Sequence, residues 1–167
     1  RQLAEHLGGS ALDSVSKRAL MMCDPSAPAL DLERPPRFSD WGITPQNTRF
    51  NSADNAGLKS SDVPRLRLKW AFAYPNATRA RAQPTIAGNA VFMGSQDGTI
   101  YALDVDSGCV HWTFKAAAEV RSAVTIEPAR PGSTEHGPTA YFGDFVGNVY
   151  ALDARSGALV WKSNLAD

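Results

Sequence analysis

Residues 97–112 read DGTIYALDVDSGCVHW, and residues 146–161 read VGNVYALDARSGALVW. The match extends from Gly94–Trp112 to Gly143–Trp161 at one constant offset (143 − 94 = 161 − 112 = 49), with nine of nineteen positions identical. A fainter echo lies upstream, where Lys69-Trp70-Ala71-Phe72 parallels His111-Trp112-Thr113-Phe114. Spacings of 42 and 49 residues (112 − 70 and 161 − 112) fall in the range of repeat folds built from four short strands per unit.

The turn residues divide each unit. In the first, strands are expected over Gln83–Ile86, Ala90–Ser95, Thr99–Asp104 and Cys109–Phe114. They are separated by Gly88-Asn89, Asp97-Gly98 and Asp106–Gly108, pairs that tolerate positive φ. The longer second interval is explained by Glu127–Pro138 (EPARPGSTEHGP), which replaces the short Gly88-Asn89 turn and reads as a surface loop. Each unit is therefore a four-stranded antiparallel meander, which cannot bury both faces alone and must stack on its neighbours. Alternation places Tyr101 and Leu103 on one face, and the small Ala102 on the other lets a neighbouring sheet approach. Trp112 and Trp161 close their units with a broad surface for packing. The fold class expected is all-β, with four-stranded blades of a partial β-propeller preceded by a short helical N-terminal segment.

Composition is ordinary for a globular chain: 167 residues, 43% hydrophobic, 17 basic against 17 acidic side chains. Zero net charge and no basic run interleaved with aromatics argue against nucleic acid and anionic surfaces as partners. No apolar stretch approaches the ~18 residues of a membrane helix. The chain opens on Arg1 with no charged region and apolar run behind it, so either a fragment or a chain whose leader has been removed is expected. The only cysteines, Cys23 and Cys109, form no CxxC or zinc spacing; they pair in an oxidising compartment or stand as buried free thiols, and both readings stay open. At Cys109 the second copy has Ala158, so a small buried residue is the default expectation there. Ahead of the repeats, residues 1–22 read as a helical segment (Arg1–Leu7, then Ser14–Met22), 23–40 as a proline-rich linker, and 41–167 as a seam strand followed by two repeat units.

The Tyr-Ala-Leu-Asp, Ser-Gly and closing Trp of both copies resemble the tryptophan-docking repeat of quinoprotein dehydrogenases, which carry pyrroloquinoline quinone on an eight-bladed propeller. The resemblance spans about residues 68–167. The lead-in (Trp41-Gly42, Asn47–Phe50, Ala56–Leu58, Val63-Pro64, Leu66–Phe72) is similar to the segment that opens the propeller in the polyvinyl-alcohol dehydrogenase branch. In that branch a cytochrome c domain often precedes the propeller, and Leu3–Leu7 is similar to the end of a cytochrome's last helix. The resemblance implies a periplasmic enzyme that oxidises an alcohol and passes electrons to cytochrome c. Its implied cofactors are pyrroloquinoline quinone, calcium, and haem c if an upstream cytochrome domain exists. Calcium ligands and the catalytic aspartate are expected in later blades, so this chain holds no complete catalytic site.

By the same resemblance, Arg121 in Val120–Ala123 looks like the arginine that contacts the quinone. Arg81 stands where relatives often have a glutamate, and Gln83 follows it. Both arginines are expected to face the axial funnel, where the first strands of all blades converge, with Gln83 as a further candidate for cofactor contact; fixed positive charge there suits a tricarboxylate and stabilises reduction. The alternative for both arginines is a solvated residue at a strand start. The adjacent cysteine pair of many methanol and ethanol oxidisers is missing. Asp104-Val105-Asp106-Ser107-Gly108 looks like a calcium loop, but its glycine comes too early and Arg155 replaces Asp106 in the second copy, so a turn-anchoring role for Asp104 and Asp153 is expected. His6, His111 and His136 share no metal spacing, and Asn76-Ala77-Thr78 reads as a chance glycosylation sequon. A second reading of the whole chain is a non-enzymatic propeller acting as a scaffold, as in outer-membrane assembly, because these repeats specify a blade and not a chemistry.

Overall fold

The structure, a computed structural model, describes residues 20–33, 48–127 and 137–165. Both repeat units fold as expected. Blade one is β1 (Thr85–Ala87), β2 (Ala90–Gly94), β3 (Thr99–Asp104) and β4 (Val110–Lys115); blade two is β5 (Thr125–Glu127), β6 (Thr139–Gly143), β7 (Asn148–Asp153) and β8 (Leu159–Asn164). Each is an antiparallel sheet with its strands in sequence order. The first strand starts at Thr85 and not at the expected Gln83; Pro84 between them has no N–H to give to a ladder. Register repeats in detail: in both blades the third and fourth strands slip by one residue, between Ala102 and Leu103 and between Ala151 and Leu152. The extra residue of that bulge is His111 in one copy and Val160 in the other, so the bulge leaves this position free to vary.

The blades stack through the expected faces. Tyr101 and Leu103 pack with Val91, Met93 and Val110 against Trp70, Phe72 and Tyr74 on one side. On the other, Phe92, Ile100, Ala102 and Trp112 share a buried cluster with Phe142, Tyr150 and Leu152 of blade two. Burial of side chains this size is worth roughly 1.5–3 kcal/mol each. The innermost strands meet where the Thr85 hydroxyl donates to the carbonyl of Val124, just ahead of β5. Trp112 docks by its edge and its face together: Nε1 donates to Ala154 O at 3.1 Å, and the ring lies over Gly157, where an added Cβ would stand 2.6 Å from the indole. Trp70 repeats this on blade one, donating to Val105 O at 3.0 Å above Gly108. The faint echo at Lys69–Phe72 is thus a true docking unit, although residues 66–81 form no strand and have no ladder partner among the described residues, contrary to the expected seam strand. Trp161 is 43% exposed, and β8 is exposed over nearly its whole length.

The lead-in forms a one-turn helix α1 (Ala53–Ala56), capped by the Ser52 side chain, and a 3-10 turn at Ser60–Arg65. Of the expected N-terminal helical segment, residues 1–19 lie outside the described residues; its last residues, Leu20 to Met22, are extended and not helical. They are held that way by blade one: Val110 N–H donates to Met21 O and Cys23 N–H to Val110 O, a parallel bridge on the outer edge of β4. Cys23 and Cys109 are joined in a disulfide with Cα atoms 4.9 Å apart, which closes the alternative left open by the sequence. Cys109 is accordingly a half-exposed bonded cysteine and not a small buried one.

Residues 20–33 continue as a strap. Leu30 and Leu32 are buried in the cluster shared by the blades. The Asn89 side chain accepts from Asp31 N–H at 2.7 Å and donates to Ala29 O at 3.2 Å. The strap passes so close to the β1–β2 turn that a Cβ on Gly88 would collide with Asp31 O. Glu33 then pairs with Arg155 of blade two. These contacts span the lower ends of both blades.

Candidate functional site

The strand-entry segments of the two blades come together on the face opposite the strap. The β2–β3 turn (Ser95–Gly98) and the β6–β7 turn (Asp144–Gly147) flank the link 116–124 that carries the chain from β4 to β5. Val120 N–H donates to Ser95 O at 3.1 Å, and Phe145 N–H donates to Glu119 O at 2.9 Å. The Ser122 hydroxyl donates to Gly143 O at 3.2 Å and accepts from Gly143 N–H at 3.3 Å. Glu119–Ser122 is thereby held between two blades, by the backbone of Glu119 and Val120 and by the Ser122 hydroxyl, and Val120 is buried beneath it.

Arg121 projects from this fixed stretch. Its Nη2 donates to Glu119 Oε2 at 2.7 Å, and its guanidinium carbon stands 4.2 Å from the centroid of the Phe145 ring. The pair is only half satisfied: Glu119 Oε1 and Arg121 Nε are both sealed from solvent without a hydrogen-bond partner. Glu119 is held below the usual carboxylate range by the hydrogen bond from Arg121, against the opposing effect of burial and with help from the charges of Arg121, Arg81 and Arg79. The same hydrogen bond raises Arg121 above its ordinary value.

Of the three residues expected to form a site, Arg121 makes the contact with Glu119, and the charge of Arg81, with that of Arg79, is felt at the same carboxylate. Arg81 is exposed, at the head of the segment entering β1; Ala82 behind it is buried, and Gln83 is half-buried and engaged with its surroundings. Sequence reasoning missed Glu119, Phe145 and Arg79. Phe145-Val146 carried a signal: an exposed apolar pair occupies the hairpin turn where the first copy has Gln96-Asp97. Three guanidinium charges acting on one carboxylate leave positive charge in excess, which suits a multiply charged anion.

The aspartates of the repeat do other work. Asp104 Oδ1 accepts from Asp106 N–H, Ser107 N–H and the Ser107 hydroxyl at 3.1, 2.7 and 2.7 Å, and Asp153 does the same for Arg155 and Ser156, so both anchor turns as expected. Among the described residues no group of three or more His, Cys, Asp and Glu side chains could hold a metal ion. Nor is any helix among them long and apolar enough to cross a membrane.

Comparison with known proteins places this architecture. The family model named PQQ_2, described as outer membrane protein assembly factor BamB, matches residues 40–167. Polyvinylalcohol dehydrogenase from Pseudomonas sp is 41% identical over 104 residues, 62% of this chain and 16% of that protein; the enzyme of the same name from Sphingopyxis sp. (strain 113P3) is 33% identical over 104 residues, 62% of this chain and 15% of that protein. The chain thus spans about a sixth of the length of the curated relatives it matches. The fold is that of the quinohemoprotein alcohol dehydrogenase from Comamonas testosteroni, with a TM-score of 0.60 at 20% identity over 79% of this chain and 20% of that one. With two docked blades of this kind and a match over most of its length, the chain belongs to the PQQ_2 family of propeller-repeat proteins and is similar within it to the polyvinyl-alcohol dehydrogenases.

Proposed function

We propose that the chain is the N-terminal part of a periplasmic quinoprotein dehydrogenase that oxidises alcohols of the polyvinyl-alcohol type and passes the electrons to cytochrome c. The observation that carries the proposal is the Arg121–Glu119 pair at the face where both blades begin, with the charges of Arg81 and Arg79 acting on the same carboxylate, in a chain 41% identical to a polyvinylalcohol dehydrogenase over 104 residues. The excess charge and the partly exposed guanidinium of Arg121 fit a polycarboxylate. Pyrroloquinoline quinone, when bound, supplies the two-electron acceptor for the alcohol. Arg121 and Arg81 would hold its carboxylates or ring oxygens by charge-assisted hydrogen bonds, with Gln83 as a further polar contact on the same segment. Fixed guanidinium charge at that place favours the anionic, reduced form of any acceptor beside it. Phe145 and Val146, exposed on the adjoining turn, give the site an apolar border suited to the hydrocarbon part of an alcohol. Calcium, bound by residues elsewhere in the whole protein, and haem c on an upstream domain complete the proposal.

The test uses the full-length protein, reconstituted with pyrroloquinoline quinone and calcium and assayed for dye-linked oxidation of a secondary alcohol. Arg121→Ala is expected to weaken quinone binding and lower activity by roughly 10- to 100-fold, as expected for losing one charged hydrogen-bonding partner. Activity and binding unchanged by the substitution remove Arg121 from the site. A second reading, a cofactor-free scaffold, is favoured by the description of the family model itself. Failure of the wild-type protein to bind the quinone at all decides for it.

A further inference from the structure

We propose that Glu119 is an internal stand-in for a ligand carboxylate: it occupies Arg121 and must give it up when an anion binds at this face. The inference rests on the reading of that face as an anion site and goes on to say how the site is regulated. Several independent features point to it. The contact is a single hydrogen bond, Nη2 to Oε2 at 2.7 Å, where a guanidinium and a carboxylate can make two. The second atom on each side, Oε1 and Nε, is sealed off without a partner, so the pair keeps an unsatisfied donor and an unsatisfied acceptor side by side in one residue pair. A pair selected for stability alone would be expected to close that fork.

The rest of the neighbourhood favours exchange over permanence. The backbone of Glu119 and Val120 is fixed by hydrogen bonds to both flanking turns, so the segment that carries the carboxylate keeps its place when Arg121 turns away. Arg121 has a second support, the Phe145 ring 4.2 Å from its guanidinium carbon, which requires no hydrogen bond and leaves the N–H groups free to turn to another acceptor. The charges of Arg81 and Arg79 act on the same carboxylate, so Glu119 is not left as an uncompensated charge. Glu119 therefore serves two ends: it keeps the arginine cluster from repelling itself, and it sets a threshold that a ligand must exceed in charge or geometry. A monocarboxylate offers no more than Glu119 already does. A tricarboxylate, which can engage several arginines together, does.

The experiment measures dissociation constants by calorimetry for full-length wild type, Glu119→Gln, Arg121→Ala and the double variant, against pyrroloquinoline quinone and against benzene-1,3,5-tricarboxylate. Glu119→Gln is expected to bind both anions at least about tenfold more tightly, a change of about 1.4 kcal/mol, and this gain is expected to vanish in the Arg121→Ala background. Misfolding produces losses and never a gain that depends on Arg121, so a merely structural Glu119 cannot imitate this result. Glu119→Ser, smaller and also neutral, must show the same gain. Unchanged or weaker binding in both neutral variants, or a gain that persists without Arg121, overturns the proposal. Tighter tricarboxylate binding by Glu119→Gln with no quinone binding by any form supports the stand-in and sinks the quinone reading, so the two fail separately.

Discussion

Cutting the Cys23–Cys109 disulfide by Cys109→Ala is expected to cost the folded protein about 4.6 kcal/mol. The bond closes a chain segment with a sequence separation of 86 residues, and the chain-entropy model gives about 15 cal/mol/K for a loop of that length, which is the quoted figure at 25 °C. Local packing adds little to this, because the equivalent position of blade two is Ala158, and β8 starts after it in the same register as β4 does after Cys109. The remaining attachments of the strap, the Asn89 clamp and the buried Leu30 and Leu32, act in the folded state and are unchanged by the substitution. The loss should therefore appear as a lower denaturation midpoint at an almost unchanged native fluorescence from Trp70 and Trp112. Equilibrium unfolding in urea of full-length wild type, wild type kept in reductant, and Cys109→Ala is the assay, with thiol labelling to confirm the redox state. The reduced wild type should coincide with the variant. A loss below about 1 kcal/mol, or a reduced form as stable as the oxidised one, refutes the reasoning, because the strap would then hold blade one without the covalent link.

Two further expectations concern the repeat itself. Gly157→Ala should cost about 2–5 kcal/mol, the sum of a left-handed backbone (φ 72°) and a Cβ driven to 2.6 Å from the Trp112 ring; Gly57→Ala, with similar φ but open space, should cost only about 1–2 kcal/mol, and equal urea midpoints for the two would contradict tryptophan docking as the source. Acid should destabilise the blades through Asp97 and Asp144. At Asp144 burial favours the neutral acid but is outweighed by hydrogen bonds from the Asn148 side chain and N–H, the Tyr150 hydroxyl and Val146 N–H; at Asp97 burial is likewise outweighed by Ser95, Thr99 and Lys115, so both carboxyls titrate below their ordinary range. A carboxylate whose pKa is lowered by folding stabilises above its unfolded value of about 3.9 and loses that contribution as pH falls through the folded one. Stability should thus fall below about pH 4, and Asp144→Asn should flatten the decline; an unaltered acid slope in the variant counts against it.

The parts of this fold that were legible in the sequence are those that repeat. Turn pairs, alternation and the closing tryptophans recur at fixed spacing, so strand order, blade faces and the turn role of Asp104 and Asp153 could be read directly. Gln83 lies outside β1 because Pro84, which follows it, has no donor to give to the ladder. What escaped was singular and long-range. Nothing local near Met21–Cys23 announces that it pairs with Val110, and the proline-rich composition of the following stretch conceals two leucines, Leu30 and Leu32, that bury between blades. The candidate site was half legible for the same reason. Arg121 and Arg81 stand at equivalent strand entries and could be aligned with a known family, whereas Glu119 and Phe145 matter through a contact that no spacing encodes.

Tryptophan docking gives the stack a direction. Each blade offers an indole at one side and a glycine turn as its receptor at the other, so the contact is head-to-tail, the kind of interface that closes into a ring or runs on as a filament according to its rotation. The receptor turn of blade one is already occupied, since Trp70 lies over Gly108. At the other side, no glycine turn among the described residues receives Trp161. Residues 66–74 thus close the receptor turn of blade one, so that a second copy of this segment cannot seat its Trp161 over Gly108.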